Sequence, residues 1–577
     1  MTDQNTTFLW KVGGPAGQGV MTTGLLLSKL CSRSGAQVFD YAEYPSLIQG
    51  GHNTYEVLSS TEPVSNRQWH VNYLVCLDKQ TLEEHRHRLT ANSTVLLDPA
   101  AGELPQDTEY TVLPLPLKEI LAELKANSIM VNMIALGASW ALVGGKKDLL
   151  VRLIAEQFGK KGNEIVALNQ ACATRGYDVV LEQVFQNASF PWLDSLEQYP
   201  IVMSGNDAFS LAAAAADCRF YASYPMTPSS SVLSTLANWQ NTTNMIVRHA
   251  EDEVGVVSEA LGASFAGVRS AVGTSGGGFA LMTESLSYAG IAEIPLVVFL
   301  SQRPGPATGL PTWTEQGDLL FACYAGHGEF PKIVLAPGDA TEMVTITNQA
   351  FDLADIYQTP VLVLSDKFLS ESRMWLDRTI TETALAQTPD YGKTVREPSE
   401  LPYLRYKITD DGISERLVPG APGTHYQANS YEHLEDSHTT EDAEERTKQV
   451  EKRLRKQATY LQNHWQMPEI FGELDASKYV FVTWGSSKMV VAQARTLLDE
   501  PTAHIHFTHV YPMDREKITE LFAPDRHYVL VENNATGQFG TLLRSEAGVD
   551  IKHTIHKYDG RAFYSEEIVA ALEQHDR

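Results

Sequence analysis

The sequence predicts a multidomain α/β protein. Its 577 residues exceed the roughly 250 to 300 residues at which a single hydrophobic core stops growing. A short apolar strand pattern, a turn and an amphipathic helix pattern follow one another in three separate parts of the chain. We therefore expect α/β domains at residues 1–195, 196–375 and 476–577, with a connector at 376–475.

The first predicted domain opens with a strand at residues 8–12, a glycine-rich turn from Gly13 to Gly19 and a helix at 20–31. Further strands are expected at 37–39, 73–77 and 94–97, with helical stretches between them. This alternation of strands and helices is typical of an α/β domain.

In the second predicted domain a helix at 208–216 precedes a strand at 220–222, and stronger strand patterns follow at 294–300 and 359–364. The connector is rich in proline, glycine, histidine and charge, and we expect one exposed charged helix at 441–456.

The last domain returns to strand and helix patterns. We expect strands at 479–483 and 528–532 and a helix at 489–498.

Composition excludes several classes of protein. A net charge of −26 argues against binding to nucleic acid, which depends on clustered Lys and Arg. No apolar run approaches the roughly 20 residues that a membrane helix needs. Without a signal-peptide pattern at the start, we expect a cytoplasmic protein with no membrane association.

The five cysteines are widely separated and include no C-x-x-C pair. Their spacing predicts neither a zinc site nor an iron–sulfur cluster in this chain. We expect most of them to be buried small residues, and we assign no metal ligands.

The first glycine turn is a candidate anion site, because it follows a strand and opens a helix whose N-terminal N–H groups attract negative charge. Its candidate ligand-binding residues are Gly14, Gly17, Gln18 and Gly19. Asp40 lies where a dinucleotide site would place its ribose-binding acid, although the glycine spacing differs from G-x-G-x-x-G. A tight turn without a ligand is the other interpretation.

Three side chains of the second domain could together hold an oxoacid beside a cofactor. Thr227 lies between Pro225 and Pro228 in a stiff loop after a strand. Arg303 follows a buried strand, and its planar guanidinium is suited to binding a carboxylate with two hydrogen bonds. Glu253 begins a helix on its apolar side, where its carboxyl would be desolvated. Taken singly, these residues could be a turn residue, a surface ion pair and a helix cap.

Two further segments accompany them. The glycine-rich run at 274–278 indicates a close backbone approach to something flat or anionic. The rigid loop at 305–312 could bring Thr308 or Thr312 back towards Arg303.

In these segments the chain resembles the α subunit of the 2-oxoacid:ferredoxin oxidoreductases, with the γ domain of that family fused ahead of it. The γ part is similar at 13–20 and 43–53, and the α part at 224–230, 251–255, 274–278, 302–312, 531–534 and 558–561. Met226 replaces a commoner isoleucine. The resemblance implies an N-terminal γ-type domain, a doubly wound domain that binds the thiamine pyrimidine, and a C-terminal domain like that of transketolase.

The resemblance also implies oxidative decarboxylation of a 2-oxoacid with thiamine diphosphate, with coenzyme A taking the acyl group and ferredoxin the electrons. Glu253 matches the glutamate that bonds the aminopyrimidine N1′, and Tyr224, Pro225 and Thr227 would line the cofactor. Arg303 and Thr227 would bind the 1-carboxylate, and Thr312 the side-chain end of the substrate. The glycine turn at 13–19 would bind coenzyme A.

The resemblance implies a separate β subunit that holds the diphosphate, Mg²⁺ and a [4Fe–4S] cluster. In agreement, Asn533 and Asn534 of this chain lack an upstream Gly-Asp-Gly. The implied assembly is α2β2. The fused arrangement favours 2-oxoglutarate, with His52 or a partner lysine for the distal carboxylate, over pyruvate or a broad range of 2-oxoacids. A nicotinamide dehydrogenase, a noncatalytic scaffold and a self-sufficient thiamine decarboxylase are the alternatives.

Overall fold

The computed structural model describes residues 6–46, 51–101, 104–105, 108–183, 190–192 and 198–575. By its internal contacts the chain forms two compact units. The first contains residues 1–203, 372–376 and 564–570, and the second contains 204–371, 377–563 and 571–577. The units are described separately below.

The strands are β1 Thr7–Pro15, β2 Gln37–Glu43, β3 His52–Ser60, β4 Tyr73–Cys76, β5 Thr94–Leu97, β6 Thr111–Pro114, β7 Ile201–Ser204, β8 Phe220–Ser223, β9 Ile246–His249, β10 Ser270–Thr274, β11 Leu296–Gln302, β12 Ile333–Leu335, β13 Pro360–Asp366, β14 Arg373–Leu376, β15 Thr394–Val395, β16 Arg416–Leu417, β17 Glu469–Phe471, β18 Tyr479–Trp484, β19 Thr502–Phe507, β20 His509–Tyr511, β21 Tyr528–Glu532 and β22 His553–His556.

The α-helices are α1 Val20–Arg33, α2 Lys79–His85, α3 Leu117–Glu123, α4 Val131–Leu142, α5 Lys147–Phe158, α6 Asn163–Gln183, α7 Gly205–Ala215, α8 Ser230–Thr243, α9 Glu253–Phe265, α10 Gly276–Ala292, α11 Leu319–Tyr324, α12 Ala340–Tyr357, α13 Lys367–Glu371, α14 Arg378–Leu385, α15 Ala443–Asn463, α16 Ser487–Arg495, α17 Arg515–Leu521, α18 Gln538–Ala547 and α19 Ser565–His575.

The first unit is built on a mixed eight-stranded sheet in the order β6-β5-β4-β1-β3-β2-β14-β7. Strand β3 lies between β1 and β2 and runs antiparallel to both. Strands β1 and β2 are therefore parallel to each other but are not neighbours. Gly137 and Gly176 allow helices α4 and α6 to pack closely. A Cβ on either glycine would overlap a carbonyl oxygen of the facing helix.

The strand β1 is longer than expected and takes in half of the predicted glycine turn. Gly13 and Gly14 pair with Thr54 and Asn53 of β3. A Cβ on Gly14 would lie 2.8 Å from Cβ of Leu77, so packing alone explains this glycine. The turn itself is residues 16–19.

The ribose-binding role considered for Asp40 is wrong. Asp40 lies inside β2, is 1% exposed, and accepts a hydrogen bond from the backbone N–H of Arg373 at 3.1 Å. A dinucleotide fold also needs adjacent parallel strands on either side of the glycine turn, whereas β3 separates β1 from β2. The geometry therefore removes the basis of the nicotinamide interpretation.

The second unit contains two α/β sheets. The larger has the order β20-β12-β13-β11-β10-β8-β9, and its strands are parallel except for β20. The smaller has the order β17-β19-β18-β21-β22 and is parallel except for β17. The predicted multidomain α/β fold class is confirmed, and the four-part division at 195, 375 and 475 stays a prediction.

Two expectations from composition can be compared with the structure. All five cysteines are buried, as expected. Among the described residues, no helix combines the length and the apolar character that crossing a membrane requires.

The charged connector helix is exposed on one face only, whereas an exposed helix was expected. Helix α15 buries Lys452 and Lys456, which are 0% and 2% exposed at their side chains. Both ammonium groups lie 2.6 Å from carboxylate oxygens of Glu293, itself fully buried. Sequence periodicity cannot reveal this burial, because the counter-charge lies more than 150 residues away.

The neighbouring connector loop contributes a third cation to this cluster. The Arg405 guanidinium donates to the backbone carbonyl of Glu293 at 2.8 Å. Burial by itself raises the pKa of the Glu293 carboxyl, but Lys452 and Lys456 outweigh that effect and hold the pKa well below its usual range. The connector is therefore fastened to the second unit by buried, paired charges.

We expect Glu293→Gln to lower the free energy of unfolding by about 3 to 5 kcal/mol, because it leaves two buried ammonium groups without a counter-charge. Guanidinium denaturation followed by tryptophan fluorescence measures this effect. Glu451→Gln, at an exposed position on α15, is the matched control and should change stability little. Equal stability of the two variants would contradict the assignment.

Candidate functional site

The candidate site lies at the carboxyl edge of the larger sheet of the second unit. Strands β9, β8, β10 and β11 are parallel neighbours in that order, so their carboxyl ends meet at one edge. Each of the predicted segments begins there: the loop at 224–229, the start of α9, the start of α10 and the loop at 303–318. This is the edge at which open α/β sheets bind ligands.

Arg303 and Thr227 are in direct contact through the backbone of Thr227. Arg303 Nη1 donates to the backbone carbonyl of Thr227 at 2.7 Å. Partial burial lowers the pKa of Arg303, and the nearby Asp318 carboxylate opposes this shift. The guanidinium stays charged and has further N–H donors for a ligand.

Asp318 is a site residue that the sequence did not indicate. Its backbone N–H donates to Gln302 Oε1 at 2.9 Å, and a Cβ on Gly276 would lie 2.5 Å from its Oδ2. The carboxyl therefore lies at the N-terminus of α10. Burial raises its pKa to about 6, and Arg303 limits the increase.

Glu253 does not cap its helix. The cap of α9 is Asp252, whose Oδ1 accepts from the Gly255 N–H at 2.8 Å. Glu253 is 5% exposed, and among the described residues its Oε1 is buried without a hydrogen-bond partner. Because an unpaired buried carboxyl oxygen is costly, the geometry favours a bound ligand over a structural role.

The glycine run makes room at this carboxyl. A Cβ on Gly278 would lie 2.6 Å from Glu253 Oε1 and would also overlap Thr274 Oγ1. Any larger residue at 278 would fill the space beside the carboxyl. The predicted close approach at 274–278 thus involves the chain's own Glu253.

The loop after Arg303 turns back on itself. The Leu310 N–H donates to the Pro304 carbonyl at 3.0 Å, and the Trp313 ring lies 3.2 Å from the Arg561 guanidinium carbon. Thr312 is 5% exposed, and no described group bonds its buried hydroxyl. A second polar atom of the site is thus without a partner.

Gln316 holds the far end of this loop, and no sequence pattern indicated this residue. It is fully buried, its backbone N–H donates to the Asn533 carbonyl at 2.7 Å, and its backbone carbonyl accepts from Asn534 Nδ2 at 3.1 Å, both after β21. Its side-chain oxygen accepts from the Asn533 N–H at 3.0 Å and from Ser487 Oγ at 2.8 Å, and its Nε2 donates to the Trp484 carbonyl at 3.1 Å. The smaller sheet therefore positions the loop of the larger one.

Tyr224 and Pro225, expected at the cofactor, are exposed at the edge of the site. The Tyr224 ring lies 6.1 Å from the His249 ring, measured between centroids. Ser223, the last residue of β8, donates from Oγ to the Gly273 carbonyl of β10 at 2.9 Å. Ser223, just before the loop, is therefore buried, whereas Tyr224 and Pro225 are exposed.

The glycine turn of the first unit forms a separate polar cradle. Gly17 has φ of 92° and nothing within 4 Å of a would-be Cβ, and Gly19 has φ of 77° and precedes α1. Oε1 of Gln18 is buried without a partner among the described residues. The α1 N-terminus and this amide oxygen could together bind a polar ligand.

Comparisons with known proteins identify the same two regions. A family model described as "Pyruvate ferredoxin/flavodoxin oxidoreductase" matches residues 9–179. A second, described as "Pyruvate flavodoxin/ferredoxin oxidoreductase, thiamine diP-bdg", matches residues 211–452. The chain thus carries a thiamine-diphosphate-binding domain, and that domain contains the site described above.

Among similar proteins, a "2-oxoacid:ferredoxin oxidoreductase subunit alpha" of Sulfolobus sp. is 30% identical over 98% of this chain and 96% of its own length. A "2-oxoglutarate synthase subunit KorA" of Methanothermobacter thermautotrophicus is 29% identical over 65% of this chain and 97% of its own length.

A solved structure of "2-oxoglutarate:ferredoxin oxidoreductase from Magnetococcus marinus with 2-oxoglutarate, coenzyme A and succinyl-CoA bound" superposes with a TM-score of 0.91. It is 29% identical, and the match covers 99% of this chain and 100% of that one. With full-length similarity in sequence and fold, this chain belongs to the 2-oxoacid:ferredoxin oxidoreductases and is an α subunit of that oxidoreductase family.

Proposed function

We propose that this chain is the α subunit of a coenzyme A-dependent 2-oxoglutarate:ferredoxin oxidoreductase. The forward reaction converts 2-oxoglutarate and coenzyme A to succinyl-CoA and CO2, and two electrons pass singly to ferredoxin. The same site would catalyse the reverse, reductive carboxylation. The observation that carries the proposal is the buried carboxyl oxygen of Glu253, which has no hydrogen-bond partner among the described residues and which Gly278 approaches closely.

The residues at this edge fit the pyrimidine end of thiamine diphosphate. A flat ring needs a polar partner for its ring nitrogen, and Glu253 Oε1, which bonds no described group, offers one. Tyr224, Pro225 and Thr227 would lie along the ring. When bound, thiamine diphosphate would supply a nucleophilic carbon for addition to the keto group and a cationic ring that takes up the electron pair left behind by CO2.

Glu253 would hold the proton that it shares with N1′ of the pyrimidine. Its position inside the apolar side of α9 suits a carboxyl that must exchange a proton without losing it to water. Asp252 and Glu251 cannot substitute for it, since Asp252 caps the helix and Glu251 is exposed.

Arg303 would bind the 1-carboxylate of the substrate and thereby orient the keto carbon. The bond to the Thr227 carbonyl uses one of its N–H groups, and the remaining donors stay available for a planar carboxylate. The unpaired hydroxyl of Thr312 would line the side-chain end of the substrate. Asp318 would keep the guanidinium oriented through its opposite charge.

The cradle at Gly14, Gly17, Gln18 and Gly19 is the proposed coenzyme A site. The N-terminal N–H groups of α1 would face a phosphate, and Gln18 Oε1 would accept from an amide N–H of the pantetheine arm. Gly14 contributes only by packing against Leu77.

A β subunit would complete the site with the diphosphate, Mg²⁺ and a [4Fe–4S] cluster, in an α2β2 assembly that reduces ferredoxin. Asn533 and Asn534 cannot serve the diphosphate, because their side-chain amides donate to Lys557 O and to Gln316 O. Exposed apolar side chains near the site, Tyr224, Val254 and Leu310, at 39%, 48% and 43%, support a partner surface there.

The choice of 2-oxoglutarate is supported by the ligand named for the Magnetococcus marinus enzyme and by the KorA relative. Pyruvate, which both family descriptions name, is the alternative substrate. A distal carboxylate needs a second cation, and a lysine of the partner is one candidate. His52, considered for this role, lies within a cluster of the first unit.

We expect Glu253→Gln to lower kcat at least about 100-fold without loss of folding or assembly, because it removes one proton-holding group. Anaerobic turnover of the purified complex measures the rate, and gel filtration checks assembly. Glu251→Gln, two residues away and exposed, is the control and should keep the wild-type rate. A near-normal rate for Glu253→Gln would refute the assignment.

We expect Arg303→Ala to weaken capture of the oxoacid by about 2 to 5 kcal/mol, or roughly 30- to 4,000-fold in kcat/KM. Arg303→Lys should recover part of the loss, since it keeps the charge but not the fork. Arg248→Ala, at an exposed position on β9, serves as control. An unchanged kcat/KM in Arg303→Ala would mean that the carboxylate binds elsewhere.

We expect Gln18→Ala to raise the KM for coenzyme A roughly three- to tenfold, as the loss of one hydrogen bond of about 0.7 to 1.4 kcal/mol predicts. The rate at saturating coenzyme A should not change. Gln157→Ala replaces an exposed glutamine of the same unit and should have no effect. If both variants keep the wild-type KM, coenzyme A does not contact Gln18.

A further inference from the structure

A cluster of potential metal ligands lies in the first unit, apart from any role given above. His52 begins β3, and Glu84 and His85 end α2. One ligand atom from each of the three lies within 4.8 Å of the other two.

The spacing of these atoms is that of ligands around a tetrahedral ion. The Nε2 atoms of His52 and His85 are 3.3 Å apart, and Glu84 Oε2 lies 3.7 Å from His52 Nε2. With metal–nitrogen bonds of about 2.0 to 2.1 Å, two ligands of a tetrahedral zinc ion are about 3.3 Å apart. An ion can therefore be placed between the imidazoles with little movement.

The three residues come from rigid elements. His52 pairs with Pro15 at the end of β1 and contacts Gly13, where a Cβ would lie 3.0 Å from His52 Cε1. Helix α2, which ends at His85, is capped by Asp78, whose Oδ1 accepts from the Thr81 N–H at 2.9 Å. The ligands are thus positioned by a sheet and a capped helix.

Glu84 accepts a hydrogen bond of the kind that orients metal-binding carboxylates. Its Oε1 accepts from Gln80 Nε2 at 2.6 Å, one turn earlier on α2, while Oε2 faces His52. One oxygen is thereby held by the helix, and the other is directed at the imidazoles.

His85 is affected by burial and by neighbouring charges. Burial, and then the nearby Lys11 and His52, lower the pKa of His85. Lys11 and Arg88 share the buried carboxylate of Glu56. Glu84 is 44% exposed at its side chain, which leaves an approach from solvent.

We propose that His52, Glu84 and His85 bind a divalent transition-metal cation of the Zn²⁺ class, with the fourth position open to solvent. Bound metal would link the end of α2 to the start of β3, beside the last residues of β1 and the turn that follows them. The inference does not depend on the proposed function, because metal binding can be measured without turnover.

The test uses the full-length chain, freed of affinity tag, treated with chelator and kept with any subunit that accompanies it. Zn²⁺ is titrated against a chromophoric chelator. Wild type should bind one equivalent per chain more than His85→Ala, and Glu84→Gln should bind that equivalent at least roughly tenfold more weakly. His70→Ala, which removes an exposed histidine, should bind as wild type.

Two further readouts separate metal binding from a folding defect. Zn²⁺ should raise the Tm of wild type and not that of His85→Ala, because a ligand of the folded state stabilises it. Glu84→Gln changes a half-exposed side chain and keeps the test valid if His85→Ala fails to fold. Co²⁺ should give the visible absorption of a tetrahedral site in wild type alone. Equal stoichiometry and affinity in wild type, His85→Ala and Glu84→Gln, or no bound equivalent in wild type, would overturn the proposal.

Discussion

The hydrogen bonds of Gln316 join the two sheets of the second unit, and the geometry of the candidate site depends on them. Gln316 ends the loop that begins at Arg303, and its main-chain and side-chain groups bond the segments after β21 and β18. Asp318, two residues later, reaches both the Arg303 charge and the N-terminus of α10. A buried amide whose nitrogen and oxygen are both hydrogen-bonded is costly to displace, so the loop carrying Thr312 is held in place.

Several buried strands of the second unit, and the sheet edge at which the candidate site residues lie, could be predicted from the sequence. Buried parallel strands give continuous apolar runs, and residues just after such strands meet at one edge. This is why Thr227, Glu253 and Arg303 could be chosen together, and why Arg303 and Thr227 are found in contact. The unpaired oxygen of Glu253 adds a physical reason that the pattern alone could not give.

The remaining features depend on contacts between distant residues, which local patterns do not record. The buried face of α15 needs Glu293, and the role of Asn533 and Asn534 needs Gln316, more than 200 residues earlier. The glycines at 13 and 14 suggested a ligand turn, yet pairing with β3 makes them part of a strand. The cluster of His52 with Glu84 and His85 was missed for the same reason, since a strand start and a helix end come together only in the fold.

The central claim is that this chain forms the oxoacid half of a 2-oxoglutarate:ferredoxin oxidoreductase. Its most direct test is anaerobic reduction of a viologen dye by the chain copurified with its partner, with 2-oxoglutarate or pyruvate and with or without coenzyme A. The account predicts rapid reduction with 2-oxoglutarate that requires coenzyme A, and little with pyruvate. Reduction with pyruvate alone would contradict the assignment of 2-oxoglutarate as the substrate. The absence of coenzyme A-dependent reduction with either oxoacid would contradict the proposed function.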